Sequence, residues 1–343
     1  MPYDGELRLA LVVCVLAAAF GCANDPLPGV GGAAGDSGEG GMAGPSGAAG
    51  AGPASIDGVG GHAAPASGNG GAGGASGATT MWIVFDSLRG GSRDIYRVRP
   101  DGSGLQQLTS DSATDQEPAV SPDGTVLAFS SNRGGAFQVF LMPVPSGTAV
   151  ALTHETGFAQ QPAWSRDGSR LAYSSGDGLV VVNRDGSERT VVARGFSQFT
   201  LPQHPAFAPD GALYFDESNV IMRLRANGKT VDTVTDGVAG SLQDPSISLD
   251  GLSMAFSTSV CGTRSGIWVV PLGGAFRVCS TGTFVSAPSM PGATAPSNGP
   301  DGAIAFETGG SPSQLAVIGR NLVITPLDLG AGDDRNPTWE PMP

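Results

Sequence analysis

The stretch Gln160-Gln161-Pro162-Ala163-Trp164-Ser165-Arg166-Asp167-Gly168-Ser169-Arg170-Leu171-Ala172-Tyr173-Ser174-Ser175 decides the fold. It reads as a short strand, a tight Asp-Gly turn and a second strand. Nearly the same wording recurs at Gln116–Ser131, Gln203–Phe215 and Gln243–Ser257, and a worn copy ends at Pro300-Asp301-Gly302 before Ala303–Phe306. In the Ser-Pro-Asp-Gly version, proline fixes φ at the second turn position and glycine takes the left-handed conformation that closes it. The run that follows alternates apolar with small polar residues, as a half-buried strand does. A third strand comes next (Asp94–Val98, Gln138–Leu141, Leu179–Val182, Val220–Leu224, Gly266–Val270). A hairpin dipeptide such as Asp101-Gly102, Asp185-Gly186 or Asn227-Gly228 then leads to a fourth, ending Leu108-Thr109, Leu152-Thr153, Val192-Ala193 or Val234-Thr235.

The turn glycines stand at 124, 168, 211, 251 and 302, at spacings of 44, 43, 40 and 51. A period near 40–45 residues made entirely of strands predicts propeller blades. Counting the second strand gives six: Trp82–Phe85, Val126–Phe129, Arg170–Tyr173, Ala212–Phe215, Ser253–Phe256 and Ala303–Phe306. The first copy lacks a preceding Pro-x-Trp strand, and the chain ends with one that nothing follows, Asn336–Glu340. The two defects cancel if that last strand becomes the innermost strand of the first blade. The expected fold is therefore an all-β, six-bladed β-propeller of four-stranded antiparallel blades over 81–343, its ring closed by the C-terminal strand.

These repeats resemble those of the TolB-like propellers: Pro-x-Trp-Ser-Pro-Asp-Gly, an apolar strand ending Ala-Phe-x-Ser, an Ile-Tyr strand, then Leu-Thr. The resemblance covers almost all of 81–343 and weakens from Phe284 to Gly302. It speaks for the fold more than for a function. TolB itself carries an additional N-terminal α/β domain. Here a Gly-rich segment stands in that place, so the resemblance does not imply a Tol-system role.

That segment follows an apolar run, Leu7–Phe20, too short to span a membrane and suited to the core of a signal peptide over 1–21. Its end, Ala19-Phe20-Gly21-Cys22, resembles a bacterial lipobox and implies lipidation of Cys22. It departs from the pattern at Ala19 and Phe20, and the alternative is an ordinary cleaved signal. From Ala23 to Thr80 there is no Phe, Tyr, Trp, Lys or Arg. Such a chain buries too little apolar surface to offset its ordering entropy, so 22–80 is expected to be a disordered tether with a reach of about 40–45 Å. Gly68–Gly73 matches a dinucleotide-binding pattern by composition alone, with no strand before it and no helix after.

Residues 81–343 carry 17 Lys+Arg, of which Lys229 is the one lysine, against 25 Asp+Glu, a balance of −8. No basic stripe is present, which argues against nucleic acid as a partner. Beyond Cys14 and Cys22 two cysteines remain, Cys261 and Cys279. In an exported chain they read as a disulfide, with two buried thiols as the alternative. One follows the second strand of the fifth blade and the other lies near the end of its fourth, which antiparallel order puts at one rim.

Propellers bind at the channel mouth, and the residues before the repeated proline are the candidates to face it. Two before it stand Gln116, Gln160, Gln203 and Gln243, with Ser286 and Arg335. One before it stand Glu117, Gln161, His204, Asp244, Ala287 and Asn336. Glu117, His204 and Asp244 are candidate ligands for a divalent cation, the alternative being that they cap backbone groups and hold channel water. No other cofactor is expected. The acid pairs Asp216-Glu217 and Asp333-Asp334 read as solvated loop residues. There is no G-x-S-x-G elbow, and 81–343 holds just two histidines, His154 and His204. The expectation is a monomeric, non-catalytic binding propeller, lipid-anchored at the outer membrane on the periplasmic or cell-surface side, with an envelope protein or glycan as ligand. The alternative is a metal-assisted carbohydrate lyase or hydrolase acting at the channel mouth around His204.

Overall fold

The computed structural model describes residues 81–195, 200–235, 240–261, 264–272, 282–285, 290 and 292–340. Cys22, the tether, Cys279 and the side chain of Cys261 lie outside the described residues, as do Ser286 and Ala287.

The chain opens with β1 (Trp82–Ser87), β2 (Asp94–Val98) and β3 (Gln106–Gln107). The second blade is β4 (Asp115–Val120), β5 (Val126–Ser131), β6 (Gln138–Pro143) and β7 (Val150–Ala151). The third is β8 (Ala159–Trp164), β9 (Arg170–Ser175), β10 (Gly178–Asn183) and β11 (Thr190–Ala193). The fourth is β12 (Gln203–Phe207), β13 (Leu213–Glu217), β14 (Val220–Leu224) and β15 (Val231–Thr233). The fifth is β16 (Leu242–Ile247), β17 (Ser253–Cys261), β18 (Arg264–Pro271) and β19 (Thr283–Phe284). The sixth is β20 (Thr294–Asn298), β21 (Ile304–Glu307), β22 (Leu315–Ile318) and β23 (Ile324–Pro326). Last comes β24 (Asp334–Glu340), which pairs with β1 and completes the first blade in the order β24-β1-β2-β3. The six sheets are four-stranded and antiparallel, as the repeat requires. Among the described residues no helix is long and apolar enough to cross a membrane.

The sixth blade corrects one reading. Its innermost strand is Thr294–Asn298, so the ring residue is Ala295 before Pro296, not Ala287 before Pro288. The spacing explains why. In every other blade with this turn the proline lies six residues before the turn glycine (118 and 124, 162 and 168, 205 and 211, 245 and 251), and 296 and 302 keep that distance.

Each turn folds as its residues dictate. Gly124, Gly168, Gly211, Gly251 and Gly302 all have φ between 68° and 82°. The Thr of the Leu-Thr ending also has a structural task. The Oγ1 atoms of Thr109 and Thr153 accept the backbone N–H of Ile95 and Val139 at 2.9 Å, and Thr235 accepts that of Ile221 at 3.3 Å, tying the fourth strand to the third.

The core is six inter-blade layers, not one centre. Phe85, Phe129, Tyr173, Phe215, Phe256 and Phe306 occupy one position of the second strand in successive blades, and all are fully buried. Each contributes about 1.5–3 kcal/mol by leaving water. Val84 and Ile95 of the first blade pack with Leu127 and Phe129 of the second. The last layer joins Ala305, Leu315 and Val317 of the sixth blade to Ile83, Phe85 and Trp339 of the first. Ion pairs hold the closing strand within the first blade: Arg89 pairs with Asp334 at 2.5 Å, Arg93 with Asp333 at 2.6 Å and Arg97 with Glu340 at 3.2 Å.

Trp339 also sits directly on Gly299 of the sixth blade. A Cβ there would lie 2.3 Å from the indole, and the indole is fixed by its Nε1 donating to the Ser297 carbonyl at 3.0 Å. Gly299→Ala is expected to cost about 1–3 kcal/mol in urea unfolding. Gly134→Ala, whose Cβ meets nothing within 4 Å, is expected to stay within about 0.5 kcal/mol of the parent. Equal midpoints for the two variants would show that the seam yields freely.

Candidate functional site

The innermost strands β4, β8, β12, β16, β20 and β24 surround a central channel with a cavity of about 670 Å³. In each, pairing with the second strand slips so that two residues face one, for instance between Gln116 and Ala119 and between Gln160 and Ala163. The two residues that share one partner are the ring residue and its proline. Proline has no N–H to lose, which suits it to a bulge. The residue before it turns left-handed: φ is 56° at Glu117, 58° at Gln161, 48° at His204, 54° at Asp244, 48° at Ala295 and 51° at Asn336. For side chains other than glycine this costs on the order of 1 kcal/mol or more each. These six line the cavity, whereas Gln116, Gln160, Gln203, Gln243 and Arg335, one position back, do not.

The bulge aims each ring N–H at the preceding blade, and a side chain there accepts it in all six cases. Two devices are used. Where the second strand carries an acid at the position after the buried aromatic, that acid accepts directly: Asp86 from Glu117 N at 3.0 Å, Asp216 from Asp244 N at 3.1 Å and Glu307 from Asn336 N at 2.9 Å. Where it carries serine, the ring side chain of that blade accepts instead and the serine hydroxyl donates to it. Glu117 accepts Gln161 N at 3.0 Å, Gln161 accepts His204 N at 3.2 Å, and Asp244 accepts Ala295 N at 3.3 Å. Their serines are Ser130 at 2.7 Å, Ser174 at 3.1 Å and Ser257 at 2.7 Å. Ring position and second strand therefore complement each other. Glu, Gln or Asp goes with Ser, and Asn336, His204 or Ala295 goes with an acid.

The sequence reading missed Asp86, Asp216 and Glu307, and it misplaced the acid pairs. Asp216, Glu217 and Asp334 are buried in the sheets, and Asp333 is held by Arg93 and Arg335. Burial at the end of a strand, with a dedicated donor nearby, replaces the solvation that two adjacent acids suggest. The discernible signal was the residue after the buried aromatic, Asp, Ser, Ser, Asp, Ser, Glu in blade order.

His204 lies between two carboxylates, with Nδ1 at 2.7 Å from Asp216 and Nε2 at 3.2 Å from Asp244. An imidazolium satisfies both contacts, whereas a neutral ring would turn a lone pair toward a carboxylate. Burial opposes the charge, but Asp244, the hydrogen bond to Asp216 and the more distant Glu117 outweigh it and raise the pKa to about 9. Burial raises the carboxyl pKa of Asp86 even with Arg93 beside it, and likewise those of Glu117 and Asp216. It lifts Glu307 to about 7. His204, Asp216 and Asp244 bring one ligand atom each within 4.8 Å of one another, a set that fits a cation if the imidazole gives up its proton. Glu117 is outside that set.

No catalytic triad forms among the described residues. Ser257 donates to Asp244, and Asp244 faces His204, so the carboxylate stands between hydroxyl and imidazole. A Ser-His-Asp mechanism needs the imidazole in the middle.

At the opposite mouth, the turn side, Pro122, Arg166, Pro209, Leu249 and Pro300 line the cavity. Arg166 reaches from the third blade past the fourth and donates through Nη2 to the carbonyls of Ile247 at 2.7 Å and Ser248 at 3.2 Å in the fifth.

The sequence model of the TolB beta propeller domain matches residues 76–249. Among solved structures, TolB from Acinetobacter baumannii superposes with a TM-score of 0.64 at 17% identity, over 76% of this chain and 66% of that one. Hydrazine synthase from Kuenenia stuttgartiensis gives 0.61 at 13% identity, over 76% of this chain and 46% of that one. A putative TolB from Agrobacterium tumefaciens gives 0.55 at 14% identity, over 72% of this chain and 88% of that one. This chain thus spans just under two thirds of the Acinetobacter protein and under half of the synthase. At these identities the likeness speaks for the fold alone. No curated protein matches the chain.

Two titrations test the site. The His204 imidazolium stabilises the fold fully below pH 6.5, and that contribution is lost as pH rises through about 9. NMR of the ring is expected to show the charged form at pH 7.5, and a neutral ring at that pH would refute the sandwich. Glu307 titrates with the same sign, in a lower window and because its charged form is buried. Between its ordinary 4.5 and about 7 the folded chain keeps a proton that the unfolded chain releases, so its contribution falls as pH rises through that window. Glu307→Gln is expected to match the parent below pH 4.5 and exceed it at pH 8 by up to about 3 kcal/mol in chemical denaturation. A difference that does not change with pH would mean that Glu307 is not the titrating group.

Proposed function

The chain belongs to the TolB β-propeller family, and from that premise we propose that it is a non-catalytic binding propeller of the bacterial cell envelope. Its partner is an envelope protein that presents a cationic segment to the acidic ring of the channel, with an envelope glycan as the other class of ligand. Lipidated Cys22 and the 22–80 tether would hold it, as a monomer, at the outer membrane on the periplasmic or cell-surface side.

The observation that carries this reading is the charge of the ring. Five acids surround the channel end (Asp86, Glu117, Asp216, Asp244 and Glu307), with Arg93 on Asp86 and His204 between Asp216 and Asp244 as their close cations. Enclosed like-charged groups attract a counter-charge strongly, because a low-dielectric wall focuses their field. The chemistry of the ring supports binding rather than turnover. Its serine hydroxyls donate to acids or a carboxamide, and its histidine has both nitrogens engaged. The fold does not decide the matter, since a synthase contains it too.

The alternative, a metal-assisted lyase or hydrolase at the same mouth, draws its support from the ligand spacing of His204, Asp216 and Asp244. A stoichiometric divalent metal in the purified chain, lost in His204→Ala, would favour it.

The test is capture from detergent-solubilised envelope with the full chain as bait and Glu117→Gln/Glu307→Gln as control. The amides keep the hydrogen-bond acceptors and remove the charge. Partner recovery is expected to fall at least tenfold in the double variant. It is also expected to fall with added salt, and as pH drops below about 7, where Glu307 becomes neutral. A partner retained equally by both baits binds elsewhere and sinks this version.

A further inference from the structure

We propose that the turn-side mouth of the channel is a binding subsite for a carboxylate, held by the guanidinium of Arg166. This site lies at the other end of the channel from the acidic ring and does not depend on how that ring is used.

Arg166 occupies the place where the second, fourth and sixth blades carry Pro122, Pro209 and Pro300 in the same turn. A proline there shapes the turn without further reach. Arginine adds a charged side chain that turns into the channel and spans to a blade that is not its neighbour. Its Nη2 meets two backbone carbonyls, but its Nε is buried with no acceptor among the described residues. Burial alone acts on its charge and pushes the guanidinium pKa down, because no acid stands close enough to raise it.

This is unexpected in a domain with 25 acids against 17 basic residues. Arg89, Arg93, Arg97 and Arg133 each have a carboxylate within 3.2 Å. An enclosed guanidinium without one retains the cost of desolvation and lacks the matching attraction. Carbonyl partners satisfy hydrogen bonds and leave the charge uncompensated.

The chemistry of the mouth selects the ligand class. Nε and Nη2 form one edge of the planar guanidinium, and that edge matches the two oxygens of a carboxylate. A carboxylate on it gives Nε its acceptor and competes with Ile247 and Ser248 for Nη2. Around Arg166 the lining is mostly apolar, with Pro122, Trp164, Pro209 and Leu249; its polar member Asn298 is tied to the Ser246 carbonyl at 2.6 Å, and it contributes no second cation. One fork in an apolar wall suits a monoanion with an apolar body. A phosphate dianion would call for further donors.

The experiment follows the Arg166 Nε–H signal by nitrogen-15 NMR in the full chain. The probes are N-acetylglycine, which mimics a peptide C-terminus, and acetyl-aspartyl-amide, which mimics an acidic side chain. N-acetylglycinamide is the uncharged control, and inorganic phosphate and chloride are added at matched ionic strength. A saturable shift with one or both carboxylates and none with the amide is expected, and the tighter probe identifies the source. Read from the backbone amide signals of Ile247 and Ser248, Arg166→Gln should weaken binding at least tenfold, with Arg166→Lys intermediate because it keeps the charge and loses the fork. No saturable shift in the parent overturns the proposal however the variants fold. An equal response to phosphate or chloride overturns the carboxylate assignment.

Discussion

Six backbone N–H groups, one per blade, set the terms for this propeller. The bulge before each conserved-in-repeat proline turns a residue left-handed and aims its N–H away from its own sheet. A buried donor left without an acceptor costs about 1–3 kcal/mol, and the left-handed backbone adds its own strain. The preceding blade must supply an acceptor at one position, six times around the ring. The core layers press the blades together without direction, whereas these bonds fix the register of each blade against the next. They also explain why the channel end is acidic: carboxylates and carboxamides are the side chains that reach.

The acceptors thus serve two ends. Held in a closed ring by structural need, they concentrate negative charge where a ligand would enter. Asp86 and Asp216 have cations beside them, while Glu117 and Glu307 do not ion-pair among the described residues. The turn side is built differently, from prolines, Leu249 and a single guanidinium. The channel lining is therefore uneven along its axis, with acids at one end and one guanidinium at the other. That asymmetry arises because the bulges all lie at one end of the inner strands and the turns at the other.

Much of the architecture was legible because each repeat carries local instructions. The Asp-Gly turn, the alternating second strand and the Leu-Thr ending act within a few residues, and the unpaired Asn336–Glu340 strand reveals the closure. The ring positions Glu117, Gln161, His204, Asp244 and Asn336 were legible for the same reason. Asp86, Asp216 and Glu307 were not, because their partners lie one blade away and 28 to 31 residues along the chain. Glu217 beside Asp216 made the pair look solvated, although strand geometry sends the two side chains to different buried settings. Arg166 was hidden by its ordinary place in a turn, since its partners are 81 and 82 residues away in a non-adjacent blade.

The closing strand has a consequence in time. Trp82 on β1 pairs with Glu340 on β24, so the first blade made waits for the last strand made. At roughly 5–20 residues per second, synthesis of the intervening chain takes on the order of 10–50 s. Throughout that interval β1 presents an open edge, and Ile83 and Phe85 lack Trp339. An unpaired strand edge above an uncovered apolar face is the surface that chaperones hold and that aggregation exploits. For the exported chain proposed above this delay is useful. Until its end has emerged the ring cannot lock, and an unlocked chain can still be threaded through a narrow pore.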